Sequence, residues 1–354
     1  MITYIPFLKI KDNEINAIGE LVPNVRKSIC PFFDYPFKPK LDATVFRDNV
    51  DRFARSFDRH IGRDNEFYLD NYDLDDALTV GQTHNYYFLL DSFSRFPLIP
   101  VVSTDRSFKH ISAVSDLKVS KVIKNNVIAF RATPEIFEEY KVVRGEIDEE
   151  LGSIFSQFEE IDLILDCRIC SKLDSASTAT KIASFSKGFC SDHRVRRVVV
   201  TGSSIPASVG DILKTQAERV VQRQELEIYR ATKAIHKHQS LIYGDYTTVS
   251  PNYSDLDVPP EVLQNVMTAK FTYTFGDSHF FIRGQGLKTK GRNQYFKMAE
   301  KLCSQEFFRG ENYSSGDQYF SEKSRGVGKN CGPNTVIKPS VNTHISYIIL
   351  DQVF

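Results

Sequence analysis

Residues 161–166 read IDLILD, a short apolar run followed by a charged residue, and apolar runs with a polar or charged residue at or near their end recur along the chain. Helix-like sequence separates these runs, which follow one another at intervals of roughly 25–45 residues. Eight runs share the pattern: residues 2–7, 29–33, 67–69, 98–102, 127–130, 161–165, 198–200 and 241–243. Eight strand–helix units in about 250 residues predict a (β/α)8 barrel of the TIM type.

The repeat stops near residue 250. We therefore expect a barrel over residues 1–250 and a C-terminal α+β extension over 251–354, packed over the rim like a lid. Within the extension, the sequence predicts a hairpin with Gly276-Asp277 at its turn, a helix over 293–302, a long Gly-rich loop over 309–343 and a final strand over 344–350. In the barrel, residues 75–93 are predicted to be one helix, and 210–238 to include two helical pieces.

Composition excludes several classes of protein. The 45 Lys and Arg residues balance the 45 Asp and Glu residues, so nucleic-acid or anionic-membrane binding through excess charge is not indicated. No apolar stretch approaches the roughly 18 residues that a membrane span needs. The first ten residues, MITYIPFLKI, lack the features of a signal peptide. Together with six scattered cysteines, this predicts a reduced, cytoplasmic protein.

Four aspartates follow predicted strands, where the known active sites of barrel enzymes lie. We expect Asp34, Asp70, Asp166 and Asp245 to converge as general acids and bases. Asp166 and Asp245 are also candidate ligands of a divalent ion, Mg2+ or Mn2+. The alternative is that each aspartate caps a loop or pairs with a nearby Arg or Lys. Lys9, at the end of the first strand, is a Schiff-base or general-base residue, the counter-ion of Asp34, or a lysine on the outer face.

Several polar residues are candidates for binding an anionic ligand at the same rim. Gly202 and its two following serines suit a phosphate-binding turn after the seventh strand, although small residues also form ordinary turns. A guanidinium from the extension would clamp a phosphate or carboxylate. The candidate ligand-binding residues are Arg131, Arg168, Gly202, Ser203, Ser204, Tyr246, Arg283, Asp317 and His344.

Short motifs spread over nearly the whole chain resemble the beta protein family, which is found in bacteriophages and bacterial genomes. They are YIPFLK (4–9), CPFFD (30–34), YGDY (243–246), IRG (282–284), SSGD (314–317) and NTH (342–344). The resemblance implies a barrel fold and a phage or phage-defence context, and it brings no activity. The residues that match by position are Lys9, Asp34, Gly244, Asp245, Arg283, Gly316, Asp317 and His344.

The leading hypothesis is a barrel whose rim binds a nucleotide or phosphorylated metabolite, with metal-assisted hydrolysis of a phosphoester as the first reaction to test. The alternative is a non-catalytic component of a phage or defence system that recognises another protein through Tyr313, Tyr319 and Phe320. A third reading, nucleic-acid binding through the basic cluster at 283–297, is disfavoured by the neutral net charge.

Overall fold

The computed structural model describes residues 2–63, 65–236, 240–252, 267–329 and 331–354. In chain order its helices and strands are β1 (Tyr4–Lys9), α1 (Asp12–Gly19), α2 (Pro23–Lys27), β2 (Phe32–Asp34), α3 (Ala43–His60), β3 (Phe67–Asp70), β4 (Thr79–Val80), β5 (Thr83–His84), α4 (Asn85–Ser92), β6 (Leu98–Val102), α5 (Phe108–Val119), β7 (Val127–Ala132), α6 (Tyr140–Phe155), β8 (Glu160–Ile169), α7 (Ser175–Asp192), β9 (Val195–Ser203), β10 (Ala217–Gln222), α8 (Gln224–Ile235), β11 (Leu241–Asp245), β12 (Thr268–Phe275), β13 (Ser278–Gly286), α9 (Leu287–Lys290), α10 (Gln294–Cys303), α11 (Ser315–Ser324) and α12 (Ile337–Leu350).

Eight parallel strands close into a barrel in the order β1-β11-β9-β8-β7-β6-β3-β2. The barrel closes because β1 pairs with β2 on one side and with β11 on the other. Each of the eight apolar runs forms one of these strands, so the predicted (β/α)8 barrel is confirmed. In the register, Lys9 lies opposite Asp34, and Asp34 lies opposite Asp70. Three charged side chains therefore stand at one level of the barrel.

Alternate residues of each strand face opposite sides of the barrel wall. One set fills the interior and includes Ile5, Phe7, Phe32, Tyr68, Ile99, Val101, Ile164, Val199 and Tyr246. The other set packs against the surrounding helices and includes Tyr4, Leu8, Phe33, Leu69, Phe130, Leu163, Leu165, Val200 and Tyr243. The parity of a residue thus decides whether its side chain reaches the barrel interior or the layer behind the wall.

The prediction of a final strand over 344–350 is wrong, because these residues belong to the helix α12. This helix packs against α1, α2 and β1, and its Val341, Ile345 and Ile348 join the core outside the barrel wall. It therefore takes the place of the eighth barrel helix. Nearly all its side chains from 339 to 348 are buried. A helix that is buried on every side has no polar face, so its apolar run reads like a strand.

A second sheet of three antiparallel strands has the order β10-β13-β12, and we call it the C-terminal sheet. The predicted hairpin is confirmed as β12 and β13, with Gly276 at a positive φ of 47° in the turn. The first part of 210–238 is not helical, because β10 is an exposed edge strand of this sheet. One sheet face packs on α10 and α11, and the other packs through Phe281 on the loop that follows β9.

Two other segments also differ from the expectation. Residues 75–93 are not one helix, because the small hairpin of β4 and β5 precedes the two-turn helix α4. The predicted long loop over 309–343 contains α11 and the start of α12. Among the helices that the structure describes, none has the length and apolarity needed to cross a bilayer.

Candidate functional site

A ring of buried charged and hydroxyl-bearing side chains lies inside the barrel at the carboxyl ends of its strands. We call it the rim ring, and its members are Lys9, Asp34, Asp70, Arg131, Asp166 and Tyr246. The Arg131 guanidinium lies at its centre, 2.7 Å from Asp70 Oδ2 and 2.6 Å from Asp166 Oδ2. Arg131 Nη2 also donates to Tyr246 Oη at 2.8 Å. Two carboxylates and a phenol thus surround one buried arginine, the arrangement that a buried cation requires.

Lys9 links the ring to a loop above it. Its ammonium donates to Asp34 Oδ2 at 3.2 Å and to Asp73 Oδ2 at 2.5 Å. Asp73 lies in the loop between β3 and β4, and the backbone N–H of its neighbour Tyr72 donates to Asp34 Oδ1 at 3.1 Å. The geometry places Lys9 as the counter-ion of Asp34, one of the three alternatives that the sequence left open.

Two partly exposed arginines, Arg106 and Arg168, form a second layer above the ring; we call them the outer arginines. Their guanidinium carbons lie 4.5 Å and 4.3 Å from the centre of the Tyr72 ring, and Arg131 approaches the same ring to 4.6 Å. Their side chains are 10% and 16% exposed. Solvent therefore reaches the outer arginines at the mouth of the barrel. Cation–π contact with the Tyr72 ring holds their guanidinium groups in place.

The loop and bulge positions of this layer explain why strand spacing alone could not find all of it. Strand spacing does not predict three residues of this layer, because they lie in loops beyond the strand ends: Tyr72, Asp73 and Arg106. Arg168, which the sequence predicts as a ligand-binding residue, lies at a bulge in β8 and adopts a positive φ of 51°. Bulges and strained backbone of this kind often redirect a side chain at a functional site.

Five carboxylates face four cations at the rim: Asp34, Asp70, Asp73, Asp105 and Asp166 against Lys9, Arg106, Arg131 and Arg168. Burial opposes ionisation of Asp70 and Asp166, but the neighbouring arginines outweigh it and lower the pKa of both. Burial and the nearby Asp34 instead raise the pKa of Asp73, against the influence of Lys9. Asp73 therefore binds a proton more readily than Asp70 or Asp166.

Some buried polar atoms near the ring have no hydrogen-bond partner within the protein. They include Ser103 Oγ, Thr201 Oγ1 and Arg106 Nε. By strand parity, Ser103 and Thr201 face the barrel interior at the same end as the ring. An unsatisfied buried donor is costly, so these groups are available to a polar ligand.

Asp245 does not join the other three aspartates. Gly244 faces the interior, where an added Cβ would lie 2.9 Å from Ile5 O, so Asp245 projects behind the barrel wall. There it accepts hydrogen bonds in a buried group that we call the wall cluster: Tyr4, Arg223, Tyr243, Asp245 and His344. Because Asp166 and Asp245 lie on opposite sides of the wall, they cannot ligate one metal ion. In the part of the chain that the structure describes, no three His, Cys, Asp or Glu side chains are grouped to hold one.

His344 lies on α12 and is buried in the wall cluster. Its Nε2 lies 3.0 Å from Asp245 Oδ1, and its Nδ1 lies 2.7 Å from Thr274 Oγ1. Burial lowers the pKa of His344, although Asp245 opposes that shift. The histidine therefore joins the barrel wall to β12 and does not line the rim.

Arg283 and Asp317 also lie outside the rim ring. Arg283 donates from Nη1 to Leu213 O at 2.5 Å, on the C-terminal sheet. Asp317 lies in the first turn of α11, where its carboxylate accepts from Tyr273 Oη at 2.5 Å. Gly316 allows this turn to approach α12, because an added Cβ would lie 2.3 Å from Pro339 O. The two motifs that resemble the family, at 314–317 and 342–344, thus lie at the contact between α11 and α12.

The turn at 202–204 uses its polar groups within the protein. Ser203 Oγ donates to Val249 O at 3.2 Å, and Ser204 Oγ donates to the carboxylate of Glu225. Gly202 has little free space, because an added Cβ would lie 3.1 Å from Cys170 Sγ. These hydroxyls therefore have protein acceptors and do not point into the rim ring.

Comparison with known proteins assigns the chain to a family. Among solved structures, the apo form of the 3-keto-D-glucoside 4-epimerase YcjR from E. coli matches at 9% sequence identity and a TM-score of 0.31, over 74% of this chain and 96% of that chain. No curated protein matches the chain. The sequence model of the Beta protein family matches residues 4–350, which is nearly the whole chain. The chain therefore belongs to the Beta protein family.

Proposed function

We propose that the chain binds a small phosphorylated ligand, such as a nucleotide or a sugar phosphate, at the rim of the barrel. The observation that carries this proposal is the pair of outer arginines, which stand partly exposed over the Tyr72 ring at the carboxyl end of the strands. Guanidinium groups bind phosphate oxygens in pairs of parallel hydrogen bonds. Active sites of barrel enzymes lie at this end of the fold.

The ionic contacts of the outer arginines leave donors for a ligand. Arg106 contacts Asp70 through Nη2 at 3.1 Å and Asp105 through Nη1 at 3.3 Å, while its Nε has no partner. Arg168 lies 3.8 Å from Asp73 and donates to Asn252 Oδ1 at 3.1 Å. These contacts are weaker than those of Arg131 below. A phosphate group would therefore replace the outer contacts while the rim ring stays intact.

Asp73 gives the site a group that can exchange a proton. It lies beside Lys9 and near Arg168, and its raised pKa suits a general acid or base. Under this proposal the reaction is hydrolysis of a phosphoester, and the setting is phage growth or defence against phage. The setting rests on the family resemblance alone.

Isothermal titration calorimetry tests the proposal. The ligands are AMP, ribose 5-phosphate and inorganic phosphate, with adenosine and ribose as their uncharged counterparts. We expect the parent chain to bind a phosphorylated compound and not its counterpart, and Arg168→Ala to weaken binding about tenfold or more, about 1.4 kcal/mol. Arg55→Ala, at an exposed arginine of α3, is the matched control and should bind like the parent. Failure of every phosphorylated ligand to bind, or equal binding by Arg168→Ala, would overturn the proposal.

A protein-interaction component is the second candidate, and exposed apolar side chains favour it. Phe108 at the start of α5 is 83% exposed, and Val142 on α6 is 76% exposed. Of the three aromatic residues expected to contact a partner, Phe320 is buried, whereas Tyr313 and Tyr319 are half-buried. A partner of the chain should lose affinity for Phe108→Ser and keep it for Arg168→Ala. The opposite result would favour the ligand-binding function.

A further inference from the structure

Two cations lie directly opposite each other in the C-terminal sheet. Lys270 on β12 pairs with Arg283 on β13, and residues so paired project from the same face of a sheet. Arg283 donates to Leu213 O and to Thr268 Oγ1. Across the described ranges of the chain, neither cation has a carboxylate within ion-pair distance. Like charges placed opposite each other repel, so this pair costs stability unless an anion compensates it.

Lys270 faces a small cavity between the barrel and the C-terminal sheet, with a volume of about 120 Å³. The loop after β11 contributes Thr248 and Ser250 to its lining, β12 contributes Thr272, and α12 contributes Ser340. Four hydroxyl-bearing residues therefore lie among the mostly apolar residues that line the space facing the lysine. The cavity therefore has room for a single tetrahedral ion.

Two further features make the cavity favourable for negative charge. The first turn of α12 lines it, and the peptide dipoles leave partial positive charge at this helix N-terminus, where the N–H groups of Val336 and Ile337 donate within the preceding turn. Burial lowers the pKa of Lys270, and the neighbouring Arg283 lowers it further. An ammonium that is desolvated in this way, beside a second cation, gains more from a bound anion than an exposed lysine would.

We propose that this cavity binds a phosphate-sized oxyanion, with Lys270 as its charge partner and the hydroxyls of Thr248, Ser250, Thr272 and Ser340 as further hydrogen-bonding groups. The site is separate from the rim ring, because Tyr246 faces the barrel interior whereas the following residues of the same loop line the cavity. A bound anion would join the loop after β11 to both the C-terminal sheet and α12.

Thermal unfolding in the absence and presence of inorganic phosphate tests the site. The parent should melt at a higher temperature as phosphate is added, and Arg168→Ala should keep the part of this dependence that comes from the cavity, whereas Lys270→Gln should lose that part. Without phosphate, Lys270→Gln should melt at the same temperature as the parent or above it, because the substitution removes the like-charge pair. Lys288→Gln, at an exposed lysine of α9, is the matched control and should respond to phosphate like the parent. An equal response of Lys270→Gln and the parent would overturn the proposal.

Chemical modification gives a second measurement that does not depend on a variant. Acylation of Lys270 by an amine-reactive ester is followed by mass spectrometry at increasing phosphate concentration. At ten times the dissociation constant, phosphate should slow this modification about tenfold. Arg168→Ala should retain the protection, because the rim is a different site, so loss of the rim function and loss of this site are distinguishable. An unchanged rate at saturating phosphate would contradict the proposal.

Discussion

Asp166 and Asp245 form the same turn on opposite sides of the barrel wall. Asp166 Oδ1 accepts from the backbone N–H of Arg168 at 2.8 Å, and Asp245 Oδ1 accepts from that of Thr247 at 2.9 Å. The residue that donates has a positive φ in both turns, 51° and 54°. Asp166 faces the rim ring and Asp245 the wall cluster, so Tyr246 reaches inward and donates to Asp166 Oδ2 at 2.6 Å. The two turns share one geometry but begin at strand positions of opposite parity. One therefore contributes an aspartate to the rim ring and the other contributes an aspartate to the wall cluster.

Asp166→Asn should destabilise the fold strongly, because it leaves the buried Arg131 with one of its main charge partners removed. We expect the free energy of unfolding to fall by about 3–5 kcal/mol, measured by urea denaturation. Asp91→Asn, at an exposed position of α4, should change it by less than about 0.5 kcal/mol. A variant at 166 that unfolds like the parent would show that the ring does not hold Arg131 as described.

Tyr246→Phe should cost less than Asp166→Asn, because it removes one hydroxyl and leaves the ion pair of Arg131 and Asp166 in place. The lost hydrogen bonds involve charged groups, so we expect a loss of about 1–3 kcal/mol by urea denaturation. Tyr87→Phe, at a half-buried tyrosine of α4, is the control. A loss equal to that of the control would mean that the phenol adds nothing to the rim ring.

The stability of the chain should depend on pH through His344. Because the folded state lowers the pKa of this histidine, the unfolded chain binds a proton more readily, and stability falls as pH drops below about 6.5. His344→Gln keeps a donor for Asp245 and removes the titration. The difference in unfolding free energy between about pH 7 and pH 5 should therefore be smaller in the variant than in the parent. A difference as large as the parent's would contradict the prediction.

Gly316→Ala should loosen the contact between α11 and α12. The added Cβ would lie 2.3 Å from Pro339 O and 2.6 Å from Thr343 Cγ2, so the two helices must separate. We expect a loss of about 1–3 kcal/mol in the free energy of unfolding. Gly145→Ala, in the middle of α6 with nothing within 4 Å of the added carbon, should instead gain roughly 0.5–1 kcal/mol. A gain in stability for Gly316→Ala as well as for Gly145→Ala would show that the contact is not tight.

The barrel and part of its rim could be predicted from the sequence, because both follow from strand spacing. Four charged residues near strand ends face the barrel interior, so the strand repeat alone predicts that their side chains converge: Lys9, Asp34, Asp70 and Asp166. Asp245 could not be placed by the same reasoning. Its distance from the strand end resembles that of the others, but the parity of β11 turns it outward. A difference of one residue in register is enough to place a side chain on the opposite side of the barrel wall.

The remaining differences come from packing that local pattern does not encode. Tyr72 and Arg106 reach the rim from loops, whose path depends on the ion pairs that they form. The strand β10 is recognised only through its partner β13, because its own side chains are mostly exposed. The helix α12 lacks a polar face because both the barrel and the C-terminal sheet cover it.

The position of α12 has a consequence for how the chain folds during synthesis. All eight barrel strands have left the ribosome once residue 245 has emerged, but the helix that covers β1 comes about 90 residues later. Until then the outer faces of Tyr4 and Tyr243 are without their cover, and Asp245 lacks His344. The nascent barrel therefore exposes buried surface of β1 and β11, and α12 must pack against β1 before folding is complete.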